Sequence, residues 1–232
     1  APAASPRPMP RAALAEMPVA FGARGGAGGR ILCYGDSLTA GFFCNGSLFE
    51  PYGRTLAQRL SAEGAQCEVV VCGMSGRTAE EMVRNADGSM VCVAGLHGKG
   101  LARILREDGP FDLAILMAGT NDMGHGAADE AVLRDLRALH LLCHRRGVAT
   151  VSLAPPPAPI GGAAREASRK RLVEKLHAAM AELPGTVVSM DTAELVPAGA
   201  GDLWDPDGIH FSAAGSRALG LGLAALAAQH SG

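Results

Sequence analysis

The sequence predicts one α/β domain of three layers, a five-stranded parallel sheet held between two layers of helices. Three observations predict it. From residue 30 onward, apolar runs of strand length alternate with helix-length amphipathic segments, the order that parallel crossover units require. The runs are apolar throughout rather than at every second residue, as in strands covered on both faces. And 232 residues suffice for one well-buried domain but are short for two.

Each element has its own local reason. "RILCYG" (30–35) reads as the first strand, and "PYGRTLAQRLSAEG" (51–64) as a helix with Pro51 near its start and Gly64 at its end. "CEVVVCG" (67–73) is the second strand. The helix "TAEEMVRNADG" opens on Thr78 with Glu81 three residues on, the spacing of a capping box. After a glycine-containing loop and a helix near 99–108, "FDLAILMAG" (111–119) is the third strand. "AADEAVLRDLRALHLLCHRRG" is a long amphipathic helix, and "VATVSLAP" (148–155) the fourth strand. A helix over roughly 162–183 precedes the fifth strand, "TVVSMD" (186–191), and a last helix follows Phe211.

Composition narrows the class. With 48% hydrophobic and 19% charged residues the chain is an ordinary soluble globular one. A formal net charge of -2 gives no electrostatic reason to expect nucleic acid or an anionic membrane surface as partner. No apolar run approaches the ~20 residues that span a bilayer. Residues 1–29 are rich in Ala, Pro, Gly and Arg with one acid, Glu16, and read as a low-complexity leader ahead of a single domain at 30–232. They lack the roughly 7–15-residue apolar core of a secretory signal; a flexible leader and an organellar transit segment both fit their composition. A cytoplasmic protein is expected. The six cysteines include no CxxC pair, so a zinc knuckle is not expected. Cys33 and Cys72 fall within strands as small buried hydrophobes, reduced thiols are favoured, and a Cys44–Cys92 bridge stays open.

In parallel sheets, functional groups gather in loops beyond the carboxyl ends of the strands. Ser37 follows the first strand, Gly73 the second and "GTND" (119–122) the third, while "DPDGIHF" (205–211) lies beyond the fifth. Each has a plain structural reading as a turn, a cap or a surface histidine. Ser75 in "GMSGR" is not a G-x-S-x-G elbow, because Arg77 stands fifth. His140 and His144 lack the zincin glutamate and read as a solvated helix face, as do the Arg and Lys residues of "AAREASRKRLVEKLHAAM". No metal site is expected.

Together these blocks resemble the SGNH (GDSL-type) hydrolases, over nearly all of 30–230 and in the family's order. "ILCYGDSLTAG", "GMSGRT", "GTND", "APPPAPI" and "DGIHF" are further similar to the arylesterase subgroup, some members of which act as acyltransferases or perhydrolases. The resemblance implies a flavodoxin-like sheet and a serine esterase with no metal or organic cofactor, acting on a small-molecule ester. It assigns Ser37 as nucleophile, His210 as base and Asp207 as the group orienting it, with Asp205 a competitor that the Asp-x-x-His spacing disfavours. It places the oxyanion donors at the Ser37 and Gly73 backbone N–H groups and the Asn121 amide. The chemistry needs those types: a serine hydroxyl is a weak nucleophile until a base takes its proton, and the oxyanion needs preorganised donors. Asp36 and Asp122 are expected to brace the loops.

Ala40 stands where several arylesterases carry a bulky aromatic. A roomier acyl pocket is therefore expected, walled by Ala40, Phe42, Met74, Met123 and Trp204, with Phe42 and Phe43 equally readable as core. Carbohydrate acetylesterase, lysophospholipase or thioesterase activity on the same triad, a non-catalytic binding module, and homo-oligomerisation all remain open.

Overall fold

The five apolar runs become five parallel strands of one sheet in the computed structural model, which describes residues 7–23 and 29–230. They are β2 (Arg30–Gly35), β3 (Glu68–Gly73), β4 (Leu113–Met117), β5 (Ala149–Leu153) and β6 (Thr186–Met190), joined at one edge by the antiparallel β1 (Val19–Gly22). The spatial order is β6-β5-β4-β2-β3-β1. Among the parallel strands the first two are exchanged and the rest run outward in sequence, the doubly wound order of flavodoxin-like folds.

Side chains along each strand alternate between two faces, and both faces are buried. Ile31 and Cys33 enter one core cluster while Leu32 and Tyr34 enter the other. Two short helical turns, α1 (Ser37–Ala40) and α5 (Thr120–Gly124), sit at strand ends. The longer helices are α2 (Tyr52–Ala62), α3 (Ala79–Arg84), α4 (Leu101–Glu107), α6 (Asp129–His144), α7 (Gly162–Ala181) and α8 (Ala213–Ala228). Leu56 and Leu60 of α2 and Leu219 and Leu223 of α8 cover the Ile31 face. Met82, Ile104, Leu136, Leu139, Leu172 and Leu176 of α3, α4, α6 and α7 cover the Leu32 face. Each such leucine contributes roughly 1.5–3 kcal/mol relative to exposure. The capping box of α3 forms as the spacing predicts, Thr78 Oγ1 accepting the Glu81 N–H at 3.2 Å and Glu81 Oε2 accepting the Thr78 N–H at 3.0 Å.

Three expectations are corrected here. The boundary after residue 29 does not hold for the described part of the leader. Met9–Pro10 pairs with Leu48–Phe49, Val19–Gly22 pairs antiparallel with β3, and Leu14 and Met17 are buried. A four-residue edge strand buries one face only, and its Ala/Pro/Gly-rich neighbours dilute that signal. His140 is not solvated: it is 1% exposed, with Nδ1 2.7 Å from Thr150 Oγ1, and His144 Nε2 lies 2.8 Å from the same oxygen. His140 stands four residues from Leu136 and three from Cys143, on the core stripe of α6. Burial pushes its pKa down to about 3, and His144 beside it adds to the shift. Arg169 of α7 is likewise buried, bonded to Glu166, Asp191 and the Pro155 carbonyl. All six cysteines are free thiols, Cys44 exposed and Cys92 buried.

Among the described residues, no helix is long and apolar enough to cross a membrane. Nor does any cluster of three or more His, Cys, Asp or Glu among them suit a metal ion.

Candidate active site

Strand β2 ends at Gly35, and Asp36 turns the chain into α1 so that Ser37 is its first helical residue. Asp36 caps that turn through Oδ1, which accepts the Leu38 N–H at 3.0 Å. Its carboxyl is buried, and loss of solvation, reinforced by the nearby Asp122 charge, pushes its pKa up to about 7 against the Leu38 hydrogen bond that opposes it. Asp122 braces a second loop, accepting the Ala79 N–H at 3.0 Å. The two acids hold loops in place, as the sequence predicts.

Ser37 is 6% exposed. Its Oγ lies 2.9 Å from His210 Nε2, and His210 Nδ1 lies 2.6 Å from Asp207 Oδ2. The carboxylate can only accept, so the Nδ1 hydrogen points to Asp207 and leaves Nε2 free to take the serine proton. Asp207 is itself fixed, since its Oδ1 accepts the Ile209 and His210 N–H groups at 2.8 and 2.9 Å. Burial pushes its carboxyl up, but the His210 ring and these two N–H groups more than offset that and hold it below the usual carboxylate range. Asp205, the competing acid, faces elsewhere: its Oδ1 accepts the Cys44 N–H at 3.2 Å. A cavity of about 450 Å3, lined by Cys44, Asn45, Asp205, Pro206 and Asp207, opens beside the triad.

Asn121 lies on α5, and its Nδ2 donates to the Arg77 carbonyl at 2.9 Å, on the loop after β3. An amide has two hydrogens, and the second has no acceptor among the described residues. Ser37 N–H is one of the unpaired donors of a helix start.

Gly73 departs from its assigned role. Successive N–H groups of a strand point to opposite neighbours, and Met74 N–H donates to Gly35 O on β2 at 2.7 Å. Gly73 N–H therefore points the other way, to Met17 Sδ at 3.1 Å. What requires glycine here is space, because a Cβ on Gly73 would lie 2.1 Å from Ala40 N. The same contact removes Ala40 from the pocket: it is fully buried against Gly73, and a larger side chain at 40 would displace α1. Met74 is fully buried, and a Cβ on Gly98 would meet its sulfur at 2.3 Å. Trp204 is 6% exposed, donates Nε1–H to Pro197 O at 3.0 Å, and its ring centroid lies 5.1 Å from that of Phe211. These three belong to the core. Phe42 and Met123 alone of the five are only partly buried: Met123 lines a groove of about 440 Å3 with Gly126, Ala164 and Arg165 rather than with the triad, and Phe42 lies against His210 with ring centroids 4.6 Å apart. Sequence reasoning missed Met17, whose signal was an apolar residue two before a Val-Ala-Phe strand.

Structures similar to the chain include a carbohydrate acetylesterase family member from Sinorhizobium meliloti, at 23% identity and TM-score 0.67, covering 87% of this chain and 98% of that one. TesA is similar at 20% identity and TM-score 0.62, with 84% and 95% covered. A lipase/acylhydrolase from Enterococcus faecalis has 22% identity and TM-score 0.62, with 87% and 96% covered. At these identities the likeness shows the fold. No curated protein matches the chain. The family model of the GDSL-like lipase/acylhydrolases matches residues 33–218, a span that runs from within β2 through His210 into α8, and the chain belongs to that family.

Proposed function

We propose that this chain is a serine esterase that hydrolyses short- to medium-chain aryl or alkyl carboxylic esters through an acyl-Ser37 intermediate. Acyl transfer to acceptors other than water is its side reaction. The observation that carries the reading is the unbroken line Asp207–His210–Ser37, with steps of 2.6 and 2.9 Å.

In that reading His210 Nε2 takes the Ser37 proton while Oγ attacks the ester carbonyl carbon. The imidazolium, steadied by Asp207, then protonates the leaving alkoxide, and a water activated by the same nitrogen releases the acid. Ser37 N–H and the free Asn121 amide hydrogen serve the oxyanion. In place of Gly73 we assign the third donor to Gly76 N–H, which has no acceptor among the described residues. Gly76 lies on the loop at the carboxyl end of β3, one residue before the carbonyl that holds Asn121, with a left-handed φ of 76° that suits glycine. A phosphonate adduct of Ser37 tests this directly: its phosphoryl oxygen should lie about 2.7–3.1 Å from Gly76 N, and an oxygen bonded to Gly73 N instead would reverse the assignment.

The function itself is tested by turnover. Ser37→Ala should lower kcat by about four to six orders of magnitude on p-nitrophenyl esters, and near-normal activity in the purified variant would sink the reading. The S. meliloti relative bears the name of a carbohydrate acetylesterase. Acetylated sugars therefore belong in the same assay as p-nitrophenyl acetate, butyrate and hexanoate and a long acyl thioester, with the highest kcat/KM naming the substrate class.

A further inference from the structure

We infer that Phe42 is a positioning residue for the base: its ring face holds the His210 imidazole in line with Ser37 and stabilises the imidazolium formed as the serine proton is taken. The inference rests on the reading of His210 as general base.

The two rings lie with centroids 4.6 Å apart and planes at 42°. An aromatic face carries negative charge density and attracts a cation within about 6 Å of its centroid. The attraction is small while His210 is neutral and grows when Nε2 gains the proton, so it favours the transition state over the ground state. No atom is exchanged with Phe42. The proton moves from Ser37 Oγ to Nε2, the oxygen lone pair forms the bond to carbon, and the Nδ1 hydrogen stays between His210 and Asp207.

The ring is held from behind. Phe42 meets Phe49 edge-on at 5.8 Å and 87°, and the two residues pair across an antiparallel ribbon, Phe42 with Phe49 and Phe43 with Leu48. Met9–Pro10 adds a third strand to that ribbon by pairing with Leu48–Phe49. Glu50 N–H donates to Gly41 O at 2.7 Å and closes its base. A Cβ on Gly46 would fall 2.6 Å from Phe42 Cε2, so the turn itself pins the ring. Cys44 N–H then ties the ribbon to the His210 loop through Asp205 at 3.2 Å. The N-terminal segment thus bears on the base through Phe49 and Phe42.

Facing the imidazole are Asp207 on its own loop and Ser37 on the loop after β2; the nearest further titratable groups are Asp205, turned to the Cys44 N–H, and the buried Asp36, turned to the Leu38 N–H. Asp207 is the group bonded to the ring, and substitution of Phe42 leaves that bond intact. Removing the ring withdraws that attraction from the protonated imidazole.

The test compares Phe42→Leu, which fills the space without a ring, with Phe42→Tyr, which keeps it. In Phe42→Leu, kcat for p-nitrophenyl butyrate should fall about 5- to 30-fold with KM within about twofold, and the acid limb of kcat/KM should move down by roughly 0.5–1 pH unit. Phe42→Tyr should restore both. Unchanged kcat and limb in Phe42→Leu overturn the inference, as does a lowered kcat with the limb unmoved or with Phe42→Tyr equally impaired. Should Phe42→Leu not fold, Phe42→Met is read in the same way. Wild-type protein without esterase activity, or full activity in His210→Ala, would instead fail the base assignment itself.

Discussion

Two histidine sites lie at opposite ends of the sheet, one with a single ring and one with two, and they differ in what their ring nitrogens meet. At the carboxyl ends of the strands, His210 joins a serine to a carboxylate, its side chain 16% exposed. Near the start of β5, His140 and His144 converge on Thr150 Oγ1 with no carboxylate among the described residues bonded to either, and His140 is 1% exposed. The first ring has a proton source, a charge partner and access to substrate. The second has a hydroxyl shared between two rings, with the Gly185 backbone also bonded to His144, an arrangement that satisfies buried polar atoms. What sets His210 apart is what flanks both of its nitrogens.

The largest effect expected from breaking this comparison is on turnover. His210→Ala should lower kcat by about four to six orders of magnitude while leaving the denaturation midpoint near that of wild type. His140→Ala should do the reverse, keeping kcat at 25 °C and losing roughly 2–4 kcal/mol of stability in urea unfolding, since it empties a packed, hydrogen-bonded position. Equal losses of activity in both variants would erase the distinction. Next in size is the oxyanion donor. Asn121→Ala should reduce kcat by about 10²–10³ with little change in KM, and an effect confined to KM would make Asn121 a ground-state contact.

The smallest effect is the pH dependence of stability, where two buried groups act in opposite senses. His140 has its pKa pushed down to about 3 from 6.5, so between those values the unfolded chain binds the extra proton and stability falls as pH drops below the ordinary histidine value. Asp36 has its pKa pushed up to about 7 from 3.8, so the folded chain keeps that proton longer and stability falls as pH rises from about 4 to 7. Urea unfolding between pH 4 and 8 should show a shallower acid-side loss in His140→Ala. Asp36→Asn, which retains a capping oxygen, should lessen the decline towards neutral pH. Unchanged slopes in both variants would contradict the burial argument.

Much of this was legible in the sequence, for particular reasons. The five parallel strands announce themselves because both faces are buried and the runs are apolar at every residue. The line Asp207–His210–Ser37 was legible because motif spacing picks out its three members before any packing is known, and their side chains do meet. Gly73 was not, because its glycine requirement is a steric one set by α1 folding back on β3, and no spacing shows which neighbour an N–H group faces. Ala40, Met74 and Trp204 were misread for a related reason: proximity to a motif in sequence says nothing about which side of the loop a side chain takes. β1 escaped notice because an edge strand needs few apolar residues, and those it has are set among Pro, Ala and Gly. Arg169 was hidden because its partners Asp191 and the Pro155 carbonyl come from other elements.

The central claim is that Ser37, made nucleophilic by His210, carries the acyl group. Intact-protein mass spectrometry after treatment with a fluorophosphonate measures it most directly, with peptide mapping to locate the adduct. One phosphonyl group per chain on Ser37 is predicted in wild type and in His140→Ala, with labelling abolished in Ser37→Ala and slowed by orders of magnitude in His210→Ala. Labelling that persists in Ser37→Ala, or that proceeds in His210→Ala at the wild-type rate, would contradict it.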